Sequence, residues 1–360
     1  MSIKHLELFS GIGGFRYAMD LLHRDFGVQF DNIGFSELES NAVNTYKNNF
    51  STDNEIEIGD IVSFVNTQNR MKSLPNFDFL TGGFPCQAFS MMGKQKGFDD
   101  LRGNVFFKIL EILKVKKPKY ILLENVKNIL THNKKETFKT ILKAIEDVGY
   151  KYIYYDIFNS NNFALAQTRN RVFIFASRKK LPSGFVFNCN SVVNSFMRIV
   201  EQSSVLKQEY TYDVLEKEVD KKYYLSEIIK PTILSNGTKN FKSKSDIDQL
   251  IARPLTATMA KMHRACQDNY FSDDYIQATD PLVYSQKQFS KEVLAKKSIR
   301  RITPKEAFNL QGFNNDFYHK AKKALTSDSQ LYKQAGNAVS VNTVYAILHY
   351  LFVESDIMEG

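Results

Sequence analysis

The stretch TGGFPCQAFS, residues 81–90, places a cysteine where it could act as a nucleophile. It follows an apolar run at 77–80 that reads as a short buried strand, so its glycines and proline are expected to stop the sheet and deliver Cys86 into a loop at the strand's carboxyl end. In an open α/β sheet that edge is where ligands bind. From spacing alone the thiol is either a nucleophile held after a proline of fixed φ, or one of the buried, inert cysteines that cores commonly contain. A second apolar run, 120–123, leads straight into Glu124 and Asn125. A carboxylate ending a buried strand is costly unless it is used or paired, and sharing an edge with Cys86 favours use. Further on, Gln167, Arg169 and Arg171 alternate ahead of a strand at 172–176, and the two-residue period is expected to put them on one face. Two adjacent guanidiniums repel unless an anion or carbonyl groups stand before them, the alternative being that each pairs with a surface acid.

These groups need elements to hold them. Residues 3–9 read as a strand ending in FSGIGGF, and 16–24 have a helical apolar rhythm through Tyr17, Ala18, Leu21 and Leu22. Strand, glycine turn and helix open a nucleotide-binding unit, although such turns also serve simply to pack a helix on a strand. A second strand at 30–36 delivers Glu37 to its carboxyl end, where an acid commonly takes the ribose hydroxyls of an adenosine. Gly13 and Gly14 are adjacent and no third glycine follows at the packing position, which favours a smaller adenosine cofactor over a dinucleotide. Residues 58–61, with Gly59 and Asp60, form a third polar turn that either holds an adenine amino group or is an ordinary loop.

Residues 91–103 lie between glycines and carry Lys94, Lys96 and Arg102, a composition suited equally to a flap closing on a phosphate-bearing substrate and to a solvated loop. Helices are expected at 105–115 and 138–148, with a strand at 152–158. From Arg178 to about Ile299 the chain turns polar and reads as a separate lobe of short strands and loops. That lobe contains the polar turn 253–258 and a basic cluster of Lys287, Lys291, Lys296, Lys297, Arg300 and Arg301 opposed by Glu292. Such a cluster is either a solvated face or, near a groove, a phosphate contact. The stretch QAGNAVS, 334–340, precedes an apolar helix at 341–353 whose faces need a sheet to cover, so it is expected to return to the N-terminal lobe.

At 360 residues with 43% hydrophobic content the chain can bury a large core and suits two lobes. Lys plus Arg total 48 against 39 Asp plus Glu, and the resulting +9 suits a polyanionic partner without proving one. The three cysteines, Cys86, Cys189 and Cys266, are too scattered for a disulfide framework. His263 and Cys266 are spaced like half a metal site whose other half is missing, so no metal is expected. No membrane span or signal peptide is read, so the chain is expected to be cytoplasmic and without membrane partners.

With these pieces in place, the chain closely resembles the DNA (cytosine-5)-methyltransferases over nearly its full length. The resemblance rests on FSGIGGF, GGFPCQAFS, LLENV, QTRNR, RRITPKEAFNLQGF and QAGNAVSV, which occur in the family's order. It implies an S-adenosylmethionine-dependent, Rossmann-like mixed sheet with a second, smaller β-rich DNA-recognition domain. The catalytic and cofactor domain would be 1–178 plus 330–360, and the recognition domain 179–329. Phe9 would stack on the adenine of S-adenosylmethionine, with Gly11, Ile12 and Gly14 beside the methionine part, Glu37 on the ribose, and Asp60 with Ile61 near the adenine. Leu38, Gly83, Pro85, Val105 and Asn337 would complete the site, with S-adenosylhomocysteine as product. Cys86 would be the nucleophile, Glu124 would hold the base, and Arg169 and Arg171 would grip it and its phosphate. Gln87, Ser90, Met92, Lys94, Arg102, Arg253 and Thr256 would touch DNA. Leu38 stands where the family commonly has tryptophan, Lys305 and Asn309 where it often has arginine, and Asn314 where it often has proline.

The implied reaction explains the residue types. Carbon 5 of cytosine is a poor nucleophile until something adds at carbon 6, and a thiolate adds and leaves readily. Cys86 is expected to ionise more easily beside Arg169 or Arg171 and loop amides. Glu124 would donate to ring nitrogen 3 and accept from the exocyclic amine. The base must swing out of the duplex, and the 91–103 flap and the second lobe would meet the helix from opposite sides. The resemblance implies a monomer acting on double-stranded DNA in a bacterial, nucleoid-associated setting, either paired with a separately acting restriction endonuclease or an orphan. The rivals are a tRNA cytosine-5 methylase, opposed by the long polar lobe; a catalytically silent DNA-binding module, opposed by intact Cys86 and Glu124; and, more distantly, a nicotinamide oxidoreductase. Methylases of exocyclic amines carry an acid or amide before Pro-Pro, and this chain has Phe-Pro-Cys.

Overall fold

The apolar runs assemble into one seven-stranded sheet in the order β3-β2-β1-β4-β5-β7-β6. Its strands are β1 (Ile3–Leu8), β2 (Phe30–Ser36), β3 (Ile56–Glu57), β4 (Phe79–Gly83), β5 (Tyr120–Val126), β6 (Tyr152–Asn159) and β7 (Asn170–Ser177). This computed structural model describes residues 2–85, 105–235, 237–238, 241–242, 245–324 and 327–358. The chain divides into two units: Met1–Asn159, Asn170–Val205 and Thr343–Gly360, which contain the sheet, and Ser160–Arg169 with Leu206–Asn342. Among the described residues no helix is long and apolar enough to cross a membrane.

Strands β1 to β5 pair in parallel, and β7 runs antiparallel between β5 and β6. Parallel strands are apolar on both faces because crossover helices cover both. On one face Leu6, Leu8, Leu80, Ile121 and Leu123 pack with Phe106, Ile109 and Ile112 of helix Val105–Lys116 and with Ile141 and Ile145 of helix Glu136–Asp147. Elsewhere in the unit Phe352 meets Phe30 and Phe79 edge-on, and the Tyr120 hydroxyl donates to the Ile357 carbonyl. The closing segment thus joins the sheet unit from Thr343 onward, as its apolar faces required.

Several expectations are corrected. The glycines after Leu80 do not stop the sheet: β4 continues through Gly82 and Gly83. A Cβ at Gly82 would stand 2.9 Å from the Leu8 carbonyl oxygen, so glycine there permits β1 to approach closely. Likewise β5 passes through Glu124 to Val126. Residues 179–205 belong to the sheet unit because helix Cys189–Ile199 is tied to the C-terminal segment, with Ser195 Oγ 3.0 Å from His349 Nδ1 and Arg198 Nη2 2.5 Å from Glu354 Oε2. Residues 160–169 and 330–342 belong to the other unit, where Thr168 N donates to Ala252 O and a Cβ on Gly336 would lie 2.3 Å from the Thr256 carbonyl carbon.

In that second unit the described strands are short pairs, Gly237–Thr238 with Phe241–Lys242 and Tyr270–Ser272 with Ile299–Arg301. Short helices and loops make up most of the rest, so the described residues are not β-rich. The basic cluster is partly internal. Lys297 pairs with Asp274, and fully buried Arg300 makes two bonds to Glu306, which caps helix Pro304–Leu310 with Thr303. The unusual residues Lys305, Asn309 and Asn314 are also accommodated: Lys305 pairs with Glu216, Asn309 donates to Phe313 O, and Asn314 caps helix Asn315–Lys323.

On β1, opposite Leu6 and Leu8, Glu7 is fully buried, with Tyr46 donating to its Oε2 at 3.3 Å. Burial pushes its carboxyl up from 4.5 to about 8, against the pull of the Arg16 charge. The native chain therefore keeps a proton that the unfolded chain releases, and the stability this contributes is complete below pH 4.5 and lost as pH rises through about 8. Glu7→Gln is expected to raise Tm by several degrees at pH 8.5 and to change it little at pH 4.5, measured by thermal unfolding at both values.

Candidate active site

Because β1 to β5 are parallel, their carboxyl ends share one edge, and the strand order reverses at β1. The glycine turn leaves β1 at that edge and enters helix α1 (Gly14–Phe26). Phe9, Gly11 and Gly13 all have positive φ, at 54°, 55° and 87°. Gly11 N donates to Glu37 Oε2 at 2.8 Å, while Glu37 Oε1 accepts from Leu38 N and Glu39 N, also at 2.8 Å. The turn after β1 and the acid after β2 are thus one assembly, as their positions in the chain implied.

The third turn joins them. Ser36 Oγ donates to Gly59 O at 2.8 Å, and Asp60 caps helix α3 (Ile61–Asn66), accepting from Val62 N at 3.0 Å and Ser63 N at 3.3 Å. Burial pushes the Asp60 carboxyl up, but those bonds outweigh it and hold its pKa below the usual value. Asp60 is therefore first a helix cap. Ile12 and Ile61 are buried, whereas Leu38 is 72% exposed. A Cβ on Gly11 would meet nothing within 4 Å, so this glycine keeps open the space beside Glu37. An open turn, a carboxylate and an exposed apolar side chain suit an adenosine, with its hydroxyls and flat base. Gly83 is half-buried at the end of β4, Pro85 is exposed, and Val105 begins the helix packed on the sheet.

Glu124 lies opposite Gly83 on one side and Phe173 on the other, at the same edge. It is 9% exposed, and Arg171 Nε donates to its Oε1 at 2.9 Å. The antiparallel course of β7 makes this possible, by starting the strand beside the end of β5. Next to it, Asn125 Nδ2 donates to Phe84 O at 2.9 Å, which anchors the chain two residues before Cys86. The sequence reading noticed Asn125 only as Glu124's neighbour; a buried amide at the end of a strand was the signal that it holds another backbone.

Cys86, Gln87, Ser90, Met92, Lys94 and Arg102 lie outside the described residues. The expected common face of Gln167, Arg169 and Arg171 is not found: β7 begins at Asn170, and the first two residues belong to the second unit. Arg169 is 3% exposed, with Nη1 donating to Leu255 O at 3.0 Å and Nη2 to Gly336 O and Ala338 O at 3.0 and 2.8 Å. Gln167 bridges Leu310 O and Leu255 N. The carbonyl groups that an arginine pair requires are present, but they belong to the protein.

In the second unit Arg253 is clasped through its backbone by Asn269, and Thr256 Oγ1 accepts from Arg264 Nη2 at 2.7 Å. Asn337 is exposed at the end of helix Asp328–Asn337. His263 bonds to Tyr270 and Arg301, and among the described residues no cluster of His, Cys, Asp and Glu could hold a metal ion.

Compared with known proteins, residues 3–352 match the family described as C-5 cytosine-specific DNA methylase. Type II methyltransferase M1.ScrFI of Lactococcus lactis subsp. cremoris is 34% identical over 344 residues, covering 96% of this chain and 76% of the relative. Type II methyltransferase M.HgiCI of Herpetosiphon aurantiacus is 31% identical over 432 residues, covering 99% of each. Among solved structures, the Entamoeba histolytica methyltransferase EhMeth aligns with a TM-score of 0.71 at 21% identity, covering 98% of this chain and 99% of that one. The S. pombe Dnmt2 methyltransferase also gives 0.71, at 20% identity and 98% of each chain. The two structures show a shared fold, and the family match, with relatives above 30% identity along nearly the whole chain, shows that this protein belongs to the C-5 cytosine-specific DNA methylases.

Proposed function

We propose that the chain transfers a methyl group from S-adenosylmethionine to carbon 5 of a cytosine swung out of a specific duplex DNA sequence, through a covalent adduct with Cys86. The observation that carries this reading is the buried Glu124 carboxylate, held by Arg171 on the sheet edge that also carries the glycine turn and Glu37. When bound, the cofactor supplies a methyl group on an electrophilic sulfonium centre. Phe9, Gly11, Glu37, Leu38 and the Asp60 turn are the residues that would hold it.

The Cys86 thiolate adds to carbon 6 of the ring, and the electron pair displaced from the 5,6 double bond moves toward ring nitrogen 3. Glu124, entering this step as the carboxylic acid, delivers its proton to that nitrogen and accepts a hydrogen bond from the exocyclic amine. Arg171, on Oε1, orients the carboxyl group. Carbon 5, now enamine-like, becomes the methyl acceptor. Loss of its proton to solvent then expels the thiolate, and nitrogen 3 returns its proton to Glu124, which restores the neutral ring. Arg169 is a positioning residue in this scheme, bracing the 253–258 turn and the 336–338 segment. The second unit would choose the sequence through base-edge contacts, with phosphate contacts fixing register.

Duplex DNA carrying 5-fluorocytosine tests the reaction, because fluorine cannot leave carbon 5 as the proton does. With S-adenosylmethionine the native chain is expected to form a denaturation-resistant adduct and Cys86→Ala none. An adduct that survives Cys86→Ala overturns the assignment, and methyl transfer to tRNA but not to duplex overturns the substrate. Bisulfite sequencing of host DNA then reads out the target sequence.

A further inference from the structure

Arg16 occupies the first turn of α1, where the helix dipole disfavours a cation, and it is nevertheless 9% exposed. Its partners explain the placement. Nη1 donates to Glu55 Oε1 and, at 3.3 Å, to the Tyr46 hydroxyl; Nη2 donates to Ser51 O at 3.0 Å. The guanidinium also lies over the Phe50 ring, 4.8 Å from its centroid. Tyr46 belongs to helix α2 (Ser40–Asn49), and Phe50 and Ser51 follow it directly.

The same two aromatic rings form the seat of the glycine turn. A Cβ on Gly13 would stand 2.4 Å from Phe50 Cε2 and 2.9 Å from Tyr46 Cε2, so this residue rests directly on both. Tyr46 is fully buried, stacked on Phe35 of β2 at 4.4 Å, and its hydroxyl reaches Glu7 at 3.3 Å. The turn is therefore held at entry through Glu7 and Tyr46, at Gly13 by two aromatic rings, and at exit by Arg16. Between these points lies Gly11, whose amide meets Glu37.

We propose that Arg16, together with Tyr46, Phe50 and Glu55, is a positioning device that builds the cofactor turn of residues 9–14 before S-adenosylmethionine arrives. The proposal rests on the cofactor reading given above. None of the four residues needs to touch the ligand. They act by removing conformations that the turn, with three positive-φ residues, would otherwise sample, so that binding does not have to order it.

The test uses the full chain and S-adenosylhomocysteine as the calorimetric probe. Arg16→Met would leave Glu55 buried without its cation, so Arg16→Met is combined with Glu55→Gln, and Tyr46→Phe separately removes the bridging hydroxyl while keeping the ring seat. The double variant is expected to weaken S-adenosylhomocysteine binding about 10- to 100-fold. KM for S-adenosylmethionine should rise in parallel, while KM for DNA and kcat stay within about twofold, and the amides of residues 10–14 should exchange faster in the ligand-free protein. Tyr46→Phe should show the same pattern more weakly, and Arg16→Lys should recover part of the affinity. Native-like binding by the double variant, or equal rises in both KM values, overturns the positioning role. Failure of the native chain to bind S-adenosylhomocysteine instead overturns the cofactor reading itself, and this proposal with it.

Discussion

Glutamine at position 124 is expected to lower kcat by about 100- to 1000-fold while leaving S-adenosylhomocysteine affinity within about twofold. The substitution preserves the shape of the side chain and an oxygen to accept from Arg171 Nε, so the strand pairing of β5 with Gly83 and Phe173 has no reason to change. What is lost is the proton that the carboxyl group passes to ring nitrogen 3, without which negative charge accumulates on the ring as the thiolate adds. The Arg171 side chain is 19% exposed, so water compensates in part for the missing carboxylate and the stability cost should be about 1 kcal/mol. Steady-state methyl transfer, calorimetry and denaturant unfolding check the three parts. A kcat within about threefold of native would remove Glu124 from the chemistry.

Arg169→Met is expected to act on a different quantity, destabilising the second unit by about 3–5 kcal/mol. Its guanidinium is buried and donates to the carbonyls of Leu255, Gly336 and Ala338, three acceptors that no other single side chain could serve together. Methionine fills the volume but leaves those carbonyls without their donor. Lysine should rescue poorly, because one ammonium lacks the flat fork that reaches separated acceptors. Denaturant unfolding and limited proteolysis should report the loss. Arg171→Met should instead lose methyl transfer with the smaller stability loss of the two, because it breaks one ion pair with Glu124 where Arg169→Met removes three hydrogen bonds to backbone carbonyls. If the two variants lose stability equally, the division of labour between these arginines is wrong.

That division could not be read from QTRNR. Alternation along a strand puts every second side chain on one face, but the rule holds only where the chain is a strand, and β7 begins at Asn170. The same limit explains the error at β4. Glycines usually interrupt a sheet, yet Gly82 extends this one because the Leu8 carbonyl approaches too closely for a side chain, and Leu8 lies far away in sequence. By contrast, the shared edge of the glycine turn and Glu37 was legible, because two consecutive parallel strands must end at the same edge, although the bond from Gly11 N to Glu37 was not.

The amino-acid order alone determined the runs that become β1, β2 and β5, the helices around 16–24 and 105–115, and hence the edge where the glycine turn, Glu37 and Glu124 stand. Periodicity and parallel crossover leave little freedom there, and the ordered motifs named the family. Tertiary structure decided which partner each polar side chain meets. Arg16 reaches Glu55, Asn125 reaches Phe84, and Arg169 reaches Gly336, at separations from 39 to 167 residues. A buried charge or amide announces in sequence that it needs a partner, but only packing selects which distant carbonyl or carboxylate comes within 3 Å or so.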